Sequence, residues 1–252
     1  MIGIIQSKNN DKFRIDFENA KPFPYVIIDD FFNKDLLLKV SKDFPDIRSN
    51  KWFRFRDKIG EFENIFESGM NAISKPENMP ALCRSFLYNL NSLNFCKVLE
   101  EITGIKDIQP DTHWHYTGLR INTPGSHQLI HSDALFHPHL KKRKILTCMI
   151  YLTKDWNKKD EGCLEIWDNQ MEKCVHKIAP KFNRVVVFKN TATSYHGVTK
   201  NNHSRKAITM SYLLNEYDEK RYRALFVKRP EDKNLLDFDK IADRRSKLND
   251  TK

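Results

Sequence analysis

The chain has 252 residues, 40% hydrophobic and 12% aromatic, enough to bury a sizeable core in one large domain and unlike the composition of a disordered chain. Its formal net charge of +10 at pH 7 suits nucleic acid, an acidic surface or an anionic substrate, although a general abundance of lysine supplies the same charge without any such partner. Cys83, Cys96, Cys148, Cys163 and Cys174 are odd in number and show no CxxC spacing, which argues against a disulfide framework or a structural zinc site.

At the amino terminus no basic segment precedes a sustained apolar run, and no apolar stretch in the chain approaches the length of a membrane span. The expectation is a cytoplasmic protein with no membrane partner. Pro24–Ile28 reads as a short strand, and Asn33 stands where an N-cap belongs, ahead of the helical stripe Leu36, Leu37, Val40 and Phe44. Residues 51–80 are aromatic but poorly periodic, and two helical segments follow at Ala81–Leu90 and Leu93–Ile102. After Gly104 short runs rich in β-branched and aromatic residues recur between turn signals, at Trp114–Ile121, Leu146–Leu152, Leu164–Trp167, Arg184–Phe188 and Lys206–Leu213. Several short strands at this spacing predict a sandwich or jelly roll. The fold class expected is α+β and mainly β. It would be one domain over 1–252, with 1–105 mostly helical support, 106–215 the β core and 216–252 a charged tail carrying Lys228-Arg229-Pro230 and Asp243-Arg244-Arg245.

His131-Ser132-Asp133 sets an imidazole and a carboxylate two residues apart, and on an extended chain both leave the same face. His196 is the candidate third ligand, because it follows the apolar strand Arg184–Phe188 and a turn-rich stretch. Two histidines and a carboxylate are the donor set of the facial triad of non-haem Fe(II) oxygenases, which leaves coordination positions open. The plainer reading is a set of satisfied polar groups in turns. Arg205 and Lys206 would point to opposite faces of their strand. Arg205 shares a face with the small residues Ala207, Thr209 and Ser211, whereas Lys206 shares one with Ile208, Met210 and Tyr212. Arg205 is therefore expected to face the cavity, where its planar fork suits a carboxylate. Tyr151 groups with Thr147 and Met149 by the same parity, either reaching that carboxylate or simply filling core.

The ordered set His131-Ser132-Asp133, 146–156 (LTCMIYLTKDW), Glu161-Gly162-Cys163-Leu164, Arg184–Phe188, His196-Gly197-Val198 and Arg205 resembles the 2-oxoglutarate/Fe(II) oxygenases of the prolyl-hydroxylase type, including the hypoxia-inducible-factor prolyl hydroxylases. The likeness spans roughly Trp114 to Leu213, and Pro22–Phe32 looks like the opening segment of bacterial relatives. The resemblance implies a double-stranded β-helix (jelly roll, cupin-like) with N-terminal supporting helices. It also implies Fe(II) held by His131, Asp133 and His196, with 2-oxoglutarate held at its far end by Arg205 and Tyr151. The implied reaction uses O2, converts 2-oxoglutarate to succinate and CO2, and hydroxylates a C–H bond. Gly162-Cys163 replaces the Gly-Gly of many relatives, and Ala207 stands where many have Ser or Thr. The retained Asp133 argues against a halogenase, since related halogenases replace that carboxylate.

Residues 134–145 hold His137-Pro138-His139 and the basic cluster Lys141-Lys142-Arg143-Lys144. A loop there would border the pocket mouth, where the cluster attracts an anionic substrate or is merely solvated. His137 and His139, or His113 and His115, offer a second metal site, although ordinary polar turns account for them equally simply. Arg120 and Asn122 share a strand face ahead of the Pro124-Gly125 turn and are candidate substrate contacts. A nucleic-acid dealkylase is disfavoured, because the second arginine of such enzymes has no counterpart in 211–216 and nothing reads as a recognition helix. The expected activity is hydroxylation of a small molecule such as an amino acid, sugar or other metabolite. Peptidyl-prolyl hydroxylation is the alternative within the family, and a catalytically silent binding protein is the alternative of another class.

Overall fold

The computed structural model describes residues 5, 9–55, 58–59, 62–63, 65–216, 221, 223–234 and 238–242. Helices dominate the amino-terminal part. Helix α1 (Asn10–Asn19) precedes strand β1 (Tyr25–Ile28), and α2 (Lys34–Lys42) starts where the Asn33 side chain accepts the Leu36 amide at 2.9 Å. Asp35 in the first turn and Lys39 and Lys42 in the last complement the helix dipole. Helix α3 (Ala81–Leu90) leads into α4 (Leu93–Thr103), which Ser92 caps and Gly104 ends at φ 73.

The remaining strands used below are β2 (Glu67–Ile73), β3 (Gly118–Ser132), β4 (Arg143–Tyr151), β5 (Leu164–Trp167), β6 (Cys174–Ile178), β7 (Val185–Lys189), β8 (His196–Val198), β9 (Arg205–Leu214) and β10 (Leu225–Phe226). They pair antiparallel in the order β1-β7-β4-β9-β3-β8-β5-β6, with β2 and β10 added to β3. The curled sheet is the jelly roll of the double-stranded β-helix class. Alternation along the strands separates two faces. Val26, Ile28, Cys148, Ile150, Val185, Val187, Ile208 and Met210 face the helices in the main core. Tyr151, Val186, Phe188 and Ala207 turn the other way, into a smaller cluster inside the curl with Leu164 and Ile166.

Strand β3 joins the two halves of the roll. Its first residues pair with β9 and β2, while Gln128 and His131 pair with Val198 and His196 of β8. Pro124-Gly125, expected as a turn, is instead a bend inside this one strand. Proline gives no amide to the ladder, and Gly125 takes φ 86, so the strand can bend there without ending. Asn201 holds the bend, its carbonyl accepting the Gly125 amide at 2.7 Å and its Nδ2 donating to the Thr123 carbonyl at 3.0 Å.

Other expectations shift as well. The strand predicted from Trp114 begins at Gly118, because the buried Asp111 carboxylate accepts the amides of His113 and His115 and holds 111–116 as a turn with Trp114 at φ 55. His113 and His115 are therefore on a turn and not on a strand. The poorly periodic stretch contains β2, paired with β3, and the charged tail contributes β10 beside Ser132 and His131. Asp243-Arg244-Arg245 lie outside the described residues. Among the described residues no helix is long and apolar enough to cross a membrane.

Candidate metal centre

His131 near the end of β3 and His196 at the start of β8 are cross-strand partners, and their rings lie 4.3 Å apart. Asp133 follows the end of β3, and one potential ligand atom from each of the three lies within 4.8 Å of the others. The outer atoms of all three are engaged by protein. His131 Nδ1 is 2.9 Å from the Leu129 carbonyl and His196 Nδ1 is 2.9 Å from the Ser194 carbonyl. A carbonyl only accepts, so both Nδ1 atoms carry a proton and each Nε2 is the ring nitrogen left for a metal. Those Nε2 atoms approach one oxygen, Asp133 Oδ1, at 3.5 and 4.0 Å. Asp133 Oδ2 meanwhile accepts from Lys144 Nζ at 2.6 Å and from the Thr147 hydroxyl at 3.0 Å. Asn190 Nδ2 in turn donates to that hydroxyl.

Burial by itself would raise the Asp133 carboxyl, but Lys144 and the two imidazoles hold it well below the usual carboxylate range. Burial, with His131 facing it, pulls the His196 imidazole down to about 4 against the attraction of Asp133. The set presents two imidazole nitrogens and a carboxylate oxygen, a donor set suited to a divalent transition metal. Phe226 of β10 stacks on the His131 ring at 5.1 Å, and Phe188 closes on His196 at 4.6 Å.

Arg205 lies on the same inner face. Its guanidinium is 4.9 Å from the centre of the Tyr151 ring, and the residue is 4% exposed, yet Nε and Nη2 have no hydrogen-bond partner. Lys206 points away as parity predicts, donating to the Ser41 carbonyl at 2.9 Å and covering the Phe44 ring. Gly162, at φ 69, leaves room here, since a Cβ would stand 3.4 Å from Arg205 Cδ and closer still to Asn201. Tyr151 is wholly buried, with its hydroxyl 3.9 Å from Met149 Sδ. Burial pushes that hydroxyl up while Arg205 opposes the shift. Asn122 is the cross-strand partner of Arg205 and Arg120 that of Ala207, so both share the inner face. Asn122 Nδ2 is also buried without a partner, and burial draws the Arg120 guanidinium down to about 10 against Glu67.

The basic cluster 141–144 is not a freely solvated patch. Arg143 pairs with Glu216 at 3.1 Å, Lys142 bonds Gln109, and Lys144 is buried behind Asp133. Sequence parity missed Lys144 because the β4–β9 register slips at Ile145. Leu146 faces Tyr212 but Lys144 faces Leu213, and the slip sends Ile145 and Leu146 both into the main core and Lys144 inward.

Residues 116–213 match the family model described as the 2OG-Fe(II) oxygenase superfamily. This stretch, which carries the three converging ligands and Arg205, is similar to that superfamily, whose members use Fe(II), 2-oxoglutarate and O2. A search of curated protein sequences returned no match. Solved structures of similar fold include a prolyl hydroxylase from Trichoplax adhaerens in complex with a hypoxia inducible factor oxygen degradation domain peptide fragment. It has a TM-score of 0.59 and 18% identity over 81% of this chain and 90% of that one. A Pseudomonas putida prolyl-4-hydroxylase follows at TM-score 0.58 and 15% identity over 81% and 99% of the two chains. An oxidoreductase of the 2OG-Fe(II) oxygenase family from Burkholderia pseudomallei gives 0.54 and 12% over 87% and 96%. At these identities the likeness is one of fold.

Proposed function

We propose that the chain is an Fe(II)- and 2-oxoglutarate-dependent hydroxylase in which His131, Asp133 and His196 hold the metal and Arg205, flanked by Tyr151, holds the distal carboxylate of 2-oxoglutarate. The observation that carries this reading is the pairing of three ligand atoms within 4.8 Å of one another with a buried guanidinium that, among the described residues, lacks an anion. An uncompensated buried charge costs several kcal/mol, and a ligand carboxylate supplies what Arg205 lacks. Iron with 2-oxoglutarate and O2 supplies the oxidising chemistry, a C–H hydroxylation coupled to release of succinate and CO2. The chain's own residues do the positioning. Leu129 and Ser194 fix the imidazole tautomers, Lys144 and Thr147 fix the carboxylate, and the Phe188 and Phe226 rings pack against the two histidines.

Arg120 and Asn122 add a cation and an unpartnered amide to the same face, which favours a small polar substrate with anionic character. The likeness in fold to prolyl hydroxylases, one of them with a bound peptide, keeps hydroxylation of a prolyl residue as the second reading.

The test is anaerobic addition of Fe(II) and then 2-oxoglutarate to the purified chain, followed by the visible charge-transfer absorption of the chelate. A band in the parent that is lost in His196→Ala establishes the cofactor pair. Succinate release over panels of small acids and of proline-containing peptides then separates the two substrate classes. A folded parent protein that gives no band is a binding protein and not an oxygenase.

A further inference from the structure

Outside the triad the fold assembles a second group of imidazoles. The turn 111–116 and the loop after Asp133 bring His113, His115, His137 and His139 together on one side of the roll. His137 is buried and committed: its Nδ1 accepts the amides of His139 and Leu140 at 3.2 and 3.0 Å, so its Nε2 carries the proton and donates to Asp111 at 3.1 Å. Asp111 also ties down the amides of His113 and His115 at 3.0 and 2.8 Å. The buried Asp111–His137 pair thus fixes both backbone segments that carry the other three histidines.

Those three are exposed, and among the described residues their ring nitrogens have no hydrogen-bond partner. The His139 ring centre lies 5.7 Å from that of His113 and 5.3 Å from that of His115. Three imidazoles bound to one tetrahedral ion at about 2.0–2.1 Å have ring centres roughly 5 Å apart, and the His139 ring already stands near that spacing from each of the other two. In the triad the ligand atoms themselves have converged within 4.8 Å. Here the exposed rings still have to rotate, a small change for side chains on a surface.

We propose that His113, His115 and His139 form a second, surface site for a divalent metal of the zinc type, separate from the triad. Imidazole is a good ligand for zinc, three protein ligands leave a fourth position to water, and His137 with Asp111 provides the rigid base behind them. The site does not depend on the oxygenase reading.

Calorimetric titration of zinc(II) into the full chain carrying His131→Ala and Asp133→Ala tests the proposal, since these substitutions remove the triad. One equivalent should bind. Adding His113→Ala and His139→Ala should weaken it by at least the roughly 10- to 100-fold that loss of even a ligand's hydrogen-bond partner brings. No zinc uptake by the folded triad variant, or uptake indifferent to His113→Ala and His139→Ala, overturns the proposal. If circular dichroism shows that the triad variant is unfolded, the wild-type chain takes its place. It should bind two equivalents, falling to one on His113→Ala and His139→Ala, and a stoichiometry that these substitutions leave unchanged refutes the site.

Discussion

Lys144 is 3% exposed and sets its ammonium 2.6 Å from the Asp133 oxygen that faces away from the histidines. A buried lysine needs a paired carboxylate, and a carboxylate that is to bind metal through one oxygen benefits from having the other held. Lys144→Met keeps the apolar stem and removes the charge. The expected outcome is a chain that still folds but binds metal about 10- to 100-fold more weakly, read by anaerobic titration with Co(II). Unchanged affinity would mean that Thr147 alone orients Asp133. At this scale the sequence was legible wherever strict alternation holds. The opposite faces of Arg205 and Lys206 follow from a period of two, and the structure has them so. Lys144 was not legible, because a register slip two residues from Thr147 reverses the parity and nothing in Lys141–Lys144 marks where it occurs.

Elements were legible where a capping residue or an uninterrupted alternation announced them, as with Asn33 before α2 and the Val-rich β7. They were hidden where tertiary pairing outweighs local pattern. Strand β2 reads Glu-Ser-Gly-Met-Asn-Ala-Ile, without strict alternation, and is held by its partner β3. The junction between β1 and α2 depends on one residue of this kind. Asn183 sits at φ 63 ahead of β7 and is fully buried. Its side chain accepts the Phe32 amide at 3.0 Å and donates to the Phe32 carbonyl at 2.8 Å. Asparagine tolerates the left-handed conformation because its short polar side chain can bond locally, whereas alanine there costs about 1–2 kcal/mol. Asn183→Ala also strands two buried backbone groups, each worth about 1–3 kcal/mol. The loss expected in urea unfolding is therefore about 3 kcal/mol or more, and a value below about 1 kcal/mol would show that water replaces the latch. Asn183→Gly should recover the backbone part and no more.

At the scale of the molecule, the main core contains residues of α1, α2, α3 and α4 and of the sheet, so we propose one cooperative unit rather than a helical layer that melts separately. The inner face of the roll is the costly part of that unit, because Arg205 is buried there with Nε and Nη2 lacking a hydrogen-bond partner. Function and stability thus pull in opposite directions at this residue. Arg205→Met retains most of the apolar stem and removes the unpaired charge, so the ligand-free variant should unfold at the same temperature as the parent or above it. Ligands reverse the order. A ligand at about 100 times its Kd adds about 2.7 kcal/mol, which for a chain of this size raises Tm by about 5–11 °C. Manganese(II), standing in for iron without its redox chemistry, should raise the Tm of both proteins. Subsequent 2-oxoglutarate should raise only the parent's, because the variant has no cation for the distal carboxylate. In His196→Ala both increments should shrink together, since the cosubstrate reaches the protein partly through the metal. A full 2-oxoglutarate increment in Arg205→Met would place the anchor elsewhere on the inner face, and Arg120 is the cation that shares it.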